Sequence, residues 1–242
     1  MSTARKRMTA KQRRKAILKA AAPIIAQVGL NGASVRDIAS AAGVSEALLY
    51  KHFPSKQVLY DEALAATRQR SQFTIDRFAT LLPSTESFVL LTYATIDFIL
   101  FGFPGRSAEE HIADRLVFQS LLDDGVYART VFADTAASWM GYVTDSYQAA
   151  VVAGDVLELP SAPAHRFRFV QQLGMALRLS HLTDPPAIDY GVSIHELANQ
   201  AVLFSLRGIG LTDRAIHQHF QPKHLRTKLD TLFPEGRGQR FS

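Results

Sequence analysis

Apolar side chains recur at spacings of three and four residues along most of the chain, which is the period of a helix that packs on one face. The segment after Ser34 shows this pattern, with apolar positions at Val35, Ile38, Ala39 and Ala42. Proline and glycine interrupt the pattern at intervals, and no stretch has the period-two alternation typical of a half-buried β-strand. The sequence therefore predicts an all-α fold.

The breaks at proline and glycine divide the chain into predicted helices of very different length. Their approximate ranges are residues 9–28, 35–42, 45–52, 56–81, 85–101, 108–122, 126–153, 164–182, 192–207, 213–220 and 224–232. We expect a short N-terminal domain of residues 1–60 and a larger helical domain of residues 61–232. Residues 233–242, which contain glycines and arginines, are expected to form a disordered tail.

Two short helices near the N-terminus are delimited by strong local signals. Ser34 is a favourable N-cap, and Asp37 three residues later completes a capping-box pattern. Gly43 permits a tight turn, Ser45 caps the next helix, and Pro54 ends it. This helix-turn-helix is typical of proteins that place the second helix in the major groove of DNA, although an ordinary helical hairpin has the same pattern.

Charge favours the DNA-binding interpretation, because the basic residues are concentrated beside this motif. Residues 1–60 contain eleven Lys or Arg against two acids, a net charge of +9, whereas the other 182 residues carry a net charge of −4. The dense run from Arg5 to Lys19 is expected to follow a flanking phosphate backbone or to enter a minor groove. The eleven are Arg5, Lys6, Arg7, Lys11, Arg13, Arg14, Lys15, Lys19, Arg36, Lys51 and Lys56.

Other chemistries have little support in the sequence. With no cysteine, the chain can form no disulfide, thiolate zinc site or thiol nucleophile. His195-Glu196 is followed by Asn199 where a zincin helix needs its second histidine. We therefore expect no catalytic residues, no cofactor, no metal site and no enzymatic activity. No apolar run approaches the roughly eighteen residues of a membrane helix, and no secretory signal is seen, so a cytoplasmic protein is expected.

The ordered segments Ser34–Ala39, Ala42–Ser45 and Leu49–Lys56 resemble the N-terminal domain of the TetR-type bacterial transcriptional repressors. The resemblance covers about fifty residues, from near Lys11 to Tyr60, and no motif after about residue 65 extends it. It implies a helical DNA-binding domain followed by a helical domain that both dimerises and binds a small-molecule inducer. Repression would then be relieved when the inducer binds.

The resemblance also implies which residues contact DNA. The start of the second helix would touch the duplex, the front of the third helix would read bases, and the end of that helix would hold the phosphate backbone. Glu46 could accept a hydrogen bond from a cytosine amino group or could simply favour the helix start. The predicted contacts are Ser34, Arg36, Ser45, Glu46, Ala47, Leu48, Tyr50, Lys51, His52 and Lys56.

Two further sites are expected in the larger domain. The predicted helices 164–182 and 192–207 carry long apolar faces that would form a dimer surface, with core packing as the alternative. The predicted interface residues are Phe169, Leu173, Leu177, Leu197, Ala201 and Phe204. Aromatic residues between residues 88 and 147 are expected to be mostly core, with some lining a pocket for an apolar or aromatic ligand. The predicted pocket residues are Tyr93, Asp97, Phe101, Phe118, Trp139 and Tyr142.

Asp97 and Asp145 are the candidate polar groups for that ligand, but the sequence favours a surface acid over a ligand contact at each position. Taken together, the sequence predicts a DNA-binding transcriptional regulator, a homodimeric repressor that releases a palindromic double-stranded operator when a small-molecule effector binds. The alternative is a helical protein-interaction module without DNA activity.

Overall fold

The computed structural model describes residues 8–63, 65, 76–102 and 111–234. These residues are helical apart from loops and one isolated β-bridge between Val156 and Leu211. The helices are α1 (Ala10–Gly32), α2 (Val35–Ala41), α3 (Glu46–His52), α4 (residues 56–63), α5 (Thr85–Phe101), α6 (His111–Leu122), α7 (Val126–Val152), α8 (Pro163–Ser180), α9 (Ile194–Ile209), α10 (Asp213–His219) and α11 (Pro222–Leu232). The all-α prediction is therefore confirmed.

The described residues form two compact units. The first contains the chain up to residue 65 together with residues 111–134, and the second contains residues 76–102 and 135–234. Helix α7 contributes its first residues to one unit and its remainder to the other. This grouping differs from the single boundary between residues 60 and 61 expected from the sequence, because α6 packs against α1.

The first unit is built around the apolar face of α1. Ile17 on α1 and Leu49 on α3 are completely buried, and so are Phe53 and Leu59, which lie on either side of Pro54. Leu116 of α6 joins the same cluster. Because these anchors come from four different segments, they fix the short helix α3 against the longer α1, which a seven-residue helix could not achieve alone.

The second unit is built around α5, which is apolar on nearly every face and buried along almost its whole length. A helix of this kind belongs in the centre of a core, and α5 packs against α8, α9, α10 and α11. Its Phe98 joins an aromatic cluster with Phe78, Trp139 and Phe233, in which the ring centroids of Phe78 and Trp139 are 4.9 Å apart. No helix in the described ranges is long and apolar enough to cross a bilayer.

Two predictions about local structure need correction. The predicted helix 56–81 does not reach residue 81, because Asp76–Thr80 is a 3-10 helix. This short helix directs Phe78 into the aromatic cluster. Residues 66–75 lie outside the described part of the chain. The predicted tail also begins too early. Phe233 is only 4% exposed and packs on Phe98, whereas residues 235–242 lie outside the described ranges.

Candidate nucleic-acid interface

Helix α2 begins where the capping box predicts. The backbone N–H of Asp37 donates to Ser34 Oγ over 3.0 Å, and the Ser34 hydroxyl donates to the Asp37 carboxylate over 2.6 Å. Ile38 and Ala39 face the core, which leaves Arg36 exposed on the opposite side. The cap thus fixes the start of α2 and directs Arg36 to solvent.

The turn between α2 and α3 depends on one glycine. Gly43 has a φ of +63°, in the left-handed region that residues with a Cβ atom adopt at a cost. The N–H groups of Gly43 and Val44 donate to the carbonyls of Ser40 and Ala39, each over 3.0 Å, which closes the end of α2. Ser45 then caps α3 by accepting from the N–H of Leu48 over 3.2 Å.

Helix α3 has a buried side and an exposed side. Leu49 and Phe53 are fully buried and anchor it on the core. Its exposed side chains are small or polar except for Tyr50, which is 47% exposed, while Leu48 and His52 are half-buried. Of the ten predicted contacts, those exposed to solvent are Ser34, Arg36, Ser45, Glu46, Ala47, Tyr50 and Lys51. Lys56 is half-buried at the start of α4.

Arg14 has a role that the sequence did not reveal. Its Nε donates to Glu62 Oε2 over 3.0 Å, and its two terminal nitrogens donate to Glu62 Oε1 and to the backbone carbonyl of His52. The guanidinium lies 4.3 Å from the centroid of the Phe53 ring. One side chain of the basic run thus holds the end of α3, and no local pattern could have shown this because 48 residues separate Arg14 from Glu62. Arg5, Lys6 and Arg7 lie outside the described residues.

Tyr60 on α4 packs against the core of the first unit, near enough to the turn between α6 and α7 to be influenced by the acids of that turn. Burial of the phenol, and to a smaller extent the negative charges of Asp124 and Asp123, together raise its pKa to about 12. The phenol is therefore neutral at physiological pH and can act as a hydrogen-bond donor.

The six predicted pocket residues do not all lie together. Tyr93, Phe101 and Trp139 are buried in the second unit and Tyr142 packs against that core, but Phe118 is a half-buried residue of α6 in the first unit. The indole N–H of Trp139 donates to Thr95 Oγ1 over 3.1 Å. Four of the six therefore belong to the aromatic core of the second unit or pack against it.

The surface interpretation of Asp97 is wrong. Asp97 is 2% exposed, and its Oδ1 lies 3.0 Å from Nη2 of Arg226 on α11. The Arg226 guanidinium also lies 6.0 Å from the ring centroids of Tyr93 and of Phe101. Burial raises the pKa of Tyr93, and the Asp97 carboxylate raises it further. Asp145, by contrast, is exposed.

The predicted dimer residues separate into two groups. Leu177, Leu197 and Ala201 are buried within the chain itself, so their assignment to an interface is wrong. They lie on the faces by which α8 and α9 pack against α5 and against each other. Phe169 and Phe204 lie on other faces of these helices and are 66% and 71% exposed, while Leu173 is half-buried.

Within the part of the chain that the structure describes, no group of three His, Asp or Glu side chains is arranged to hold a metal ion. His195 stacks on Phe101 with ring centroids 4.5 Å apart, an apolar contact at the start of α9.

Comparison with known sequences identifies the N-terminal motif. The profile of the family described as "Bacterial regulatory proteins, tetR family" matches residues 17–63. The HTH-type transcriptional repressor KstR2 of Rhodococcus jostii is 38% identical over 93 residues, which are 35% of this chain and 44% of that protein. The HTH-type transcriptional activator FasR of Mycolicibacterium smegmatis is 33% identical over 90 residues, 34% of this chain and 41% of that protein. The chain thus spans less than half the length of these curated relatives.

Solved structures extend the similarity over most of the chain. A protein from Rhodococcus sp. assigned to the TetR-family transcriptional regulators is 25% identical, with a TM-score of 0.54, and the match covers 81% of this chain and 96% of that one. A Clostridium perfringens protein described as a fatty acid metabolism regulator has the same fold at 16% identity, with a TM-score of 0.59 over 81% of this chain and all of its own length. The helix-turn-helix, the all-α fold and these similarities agree: residues 17–63 belong to the TetR family of bacterial regulatory proteins, and the described residues have the fold of a TetR-family structure.

Proposed function

We propose that this chain is a DNA-binding transcriptional regulator that inserts α3 into the major groove. The observation that carries the proposal is the exposed side of α3, where Glu46, Ala47 and Lys51 face solvent while Leu49 and Phe53 hold the helix on the core. A rigidly anchored helix with small and polar residues at its front fits the groove without steric conflict. TetR-family members are DNA-binding regulators rather than enzymes.

The ten predicted contacts are assigned to two tasks. Ser45, Glu46, Ala47 and Leu48 lie at the front of α3 and read base edges, because this end of a recognition helix approaches the bases. The remaining six hold the phosphate backbone and fix the register, since hydroxyl, cationic and phenolic groups donate to phosphate oxygens. These six are Ser34, Arg36, Tyr50, Lys51, His52 and Lys56.

The regulator acts as a homodimer on a palindromic operator. Phe169 and Phe204 support this, because exposed phenyl groups on adjacent helices mark a surface that a partner covers. A two-fold pair of α3 helices would read half-sites about 34–36 Å apart, or a multiple of that distance. Such a regulator works in the cytoplasm, where bacterial DNA lies.

A small apolar or aromatic ligand in the second unit would release the operator and so relieve repression. The aromatic core around Tyr93, Phe101 and Trp139 supports this, because sites for such ligands are mainly apolar with a few fixed polar groups. The buried Asp97 and its partly exposed partner Arg226 are polar groups beside those rings. The ligand can act only if it binds the DNA-releasing conformer more tightly than the other.

Selection of bound duplexes from random DNA tests the proposal. We expect a palindrome to be enriched, and the measured affinity for it to fall steeply as salt rises, because neutralised phosphates release counterions. Absence of duplex binding at low salt would instead favour the interaction module.

A screen of apolar and aromatic compounds by thermal shift tests the ligand. Compounds that raise the melting temperature should also weaken operator binding. Stabilising compounds that leave operator affinity unchanged would contradict the proposed switch.

A further inference from the structure

Arg14 makes three kinds of contact at the end of α3. It pairs with both carboxylate oxygens of Glu62 on α4, donates to the His52 carbonyl, and covers the ring of Phe53. The side chains of Arg14 and Glu62 are 37% and 36% exposed, so the ion pair lies at the margin of the core.

The His52 carbonyl is a place where a donor is needed. The last carbonyls of a helix have no partner within it, and α3 ends at this residue because Pro54 follows. Phe53, the residue after α3, is completely buried. A donor at the His52 carbonyl together with an arginine stacked on Phe53 therefore holds the end of α3 in position against α1.

Glu62 completes the arrangement by holding the arginine. The planar guanidinium forms two parallel hydrogen bonds with the carboxylate, which restricts its orientation more than a single contact would. The remaining nitrogen then points at His52. Through this one side chain, α1, α3 and α4 are joined at the end of α3.

We propose that Arg14 and Glu62 are positioning residues for α3, and that Arg14 acts on DNA through α3 and not as a phosphate contact. This inference rests on the proposed function, because positioning matters only if α3 reads DNA. It assigns an acidic residue outside the helix-turn-helix to operator recognition.

Two neighbouring acids on α4 provide a matched pair of variants. Glu62→Gln and Asp61→Asn each remove one negative charge. Unlike Glu62, Asp61 is exposed, and its carboxylate accepts a hydrogen bond from Gln57, four residues earlier on the same helix. If charge alone mattered, both variants would bind polyanionic DNA slightly more tightly. If Glu62 positions α3, Glu62→Gln should instead weaken operator binding about tenfold, comparable to losing a specific contact, while Asp61→Asn does not weaken it.

Arg14→Lys separates charge from geometry. Lysine keeps the positive charge but cannot make the fork with Glu62 and also reach the His52 carbonyl. We expect about a tenfold loss of operator affinity with the salt dependence and the affinity for non-specific duplex unchanged, because the number of neutralised phosphates stays the same. A phosphate contact would behave differently, since lysine would largely replace arginine there.

Fluorescence anisotropy with operator and non-specific duplexes at several salt concentrations measures all of these effects. Circular dichroism confirms that each variant keeps its helices, and if Glu62→Gln does not, Arg14→Lys decides the question. The inference alone is overturned if the wild type binds operator while Glu62→Gln binds as tightly as Asp61→Asn, or if Arg14→Lys keeps wild-type affinity. Failure of the wild type to bind any duplex would overturn the proposed function as well.

Discussion

Truncation of Phe204 tests the proposed dimer most directly. Its side chain is 71% exposed on α9 in the single chain. For an aromatic side chain of about 200 Å², that fraction corresponds to about 140 Å² available for burial by a partner. At about 25 cal/mol per Å², complete burial would contribute about 3.5 kcal/mol, of which alanine would keep roughly a third. The expected loss is therefore about 2 kcal/mol per subunit.

In a two-fold dimer each substitution occurs twice, so Phe204→Ala should weaken association by about 4–5 kcal/mol, which raises the dissociation constant by about three orders of magnitude. Sedimentation equilibrium over a range of concentrations measures that constant. Leu82→Ala is the matched control, because Leu82 is 84% exposed and lies before α5, away from α8 and α9 in the sequence. A monomeric wild type, or equal dissociation constants for the two variants, would refute the assignment of Phe204 to an interface.

Three further outcomes are expected. Lys51→Ala should weaken binding to all duplexes alike and reduce the slope of log K against log salt by about 2, about one for each subunit of the dimer, as titrations at several salt concentrations would show. An unchanged slope would remove Lys51 from the phosphate contacts. Ala47→Trp should abolish operator binding in the same assay. The chain should still fold, because Ala47 is exposed at the front of α3. Retained operator affinity would mean that α3 does not contact the bases. The hydrogen bond from Thr85 and the charge of Arg214 hold the pKa of Asp155 below its usual value of 3.8. The ionised Asp155 carboxylate therefore stabilises the fold fully above about pH 4, and this stabilisation is lost as the pH falls through the pKa of Asp155 in the folded chain. Denaturant unfolding of Asp155→Asn should therefore show a weaker loss of stability in acid than the wild type shows, and identical acid profiles would contradict this.

Local signals in the sequence predicted helix boundaries well, because the interactions that set those boundaries are themselves local. Ser34 and Ser45 cap the helices that follow them, and each bond spans three residues. Gly43 has the positive φ that the turn between α2 and α3 requires. Helix α5 was predicted to the residue for the same reason, since Ser84 caps its start and Gly102 follows its end.

Apolar periodicity could not separate core from interface. On α8 and α9 the pattern repeats around more than one face, and the same spacing applies to Leu177, which is 5% exposed, and to Phe169, which is 66% exposed. Which face turns inward depends on the position of α5, a partner distant in sequence. The sequence could therefore identify both helices as apolar but could not assign their residues to one surface.

The sequence also could not predict ion pairs between residues distant along the chain, because no local pattern marks such pairs. These ion pairs change how the number of basic residues near the N-terminus is interpreted. Asp97 looks like a surface acid until Arg226 on α11 is found beside it. Arg14 looks like one of eleven equivalent cations until Glu62 is found to hold it. Only cations that neutralise phosphates contribute to the salt dependence of binding, and the charge of Arg14 is already paired within the protein. The number of basic residues near the N-terminus is therefore an upper bound on the phosphate contacts that this region makes, and the measured salt slope should correspond to fewer than eleven phosphates for each subunit.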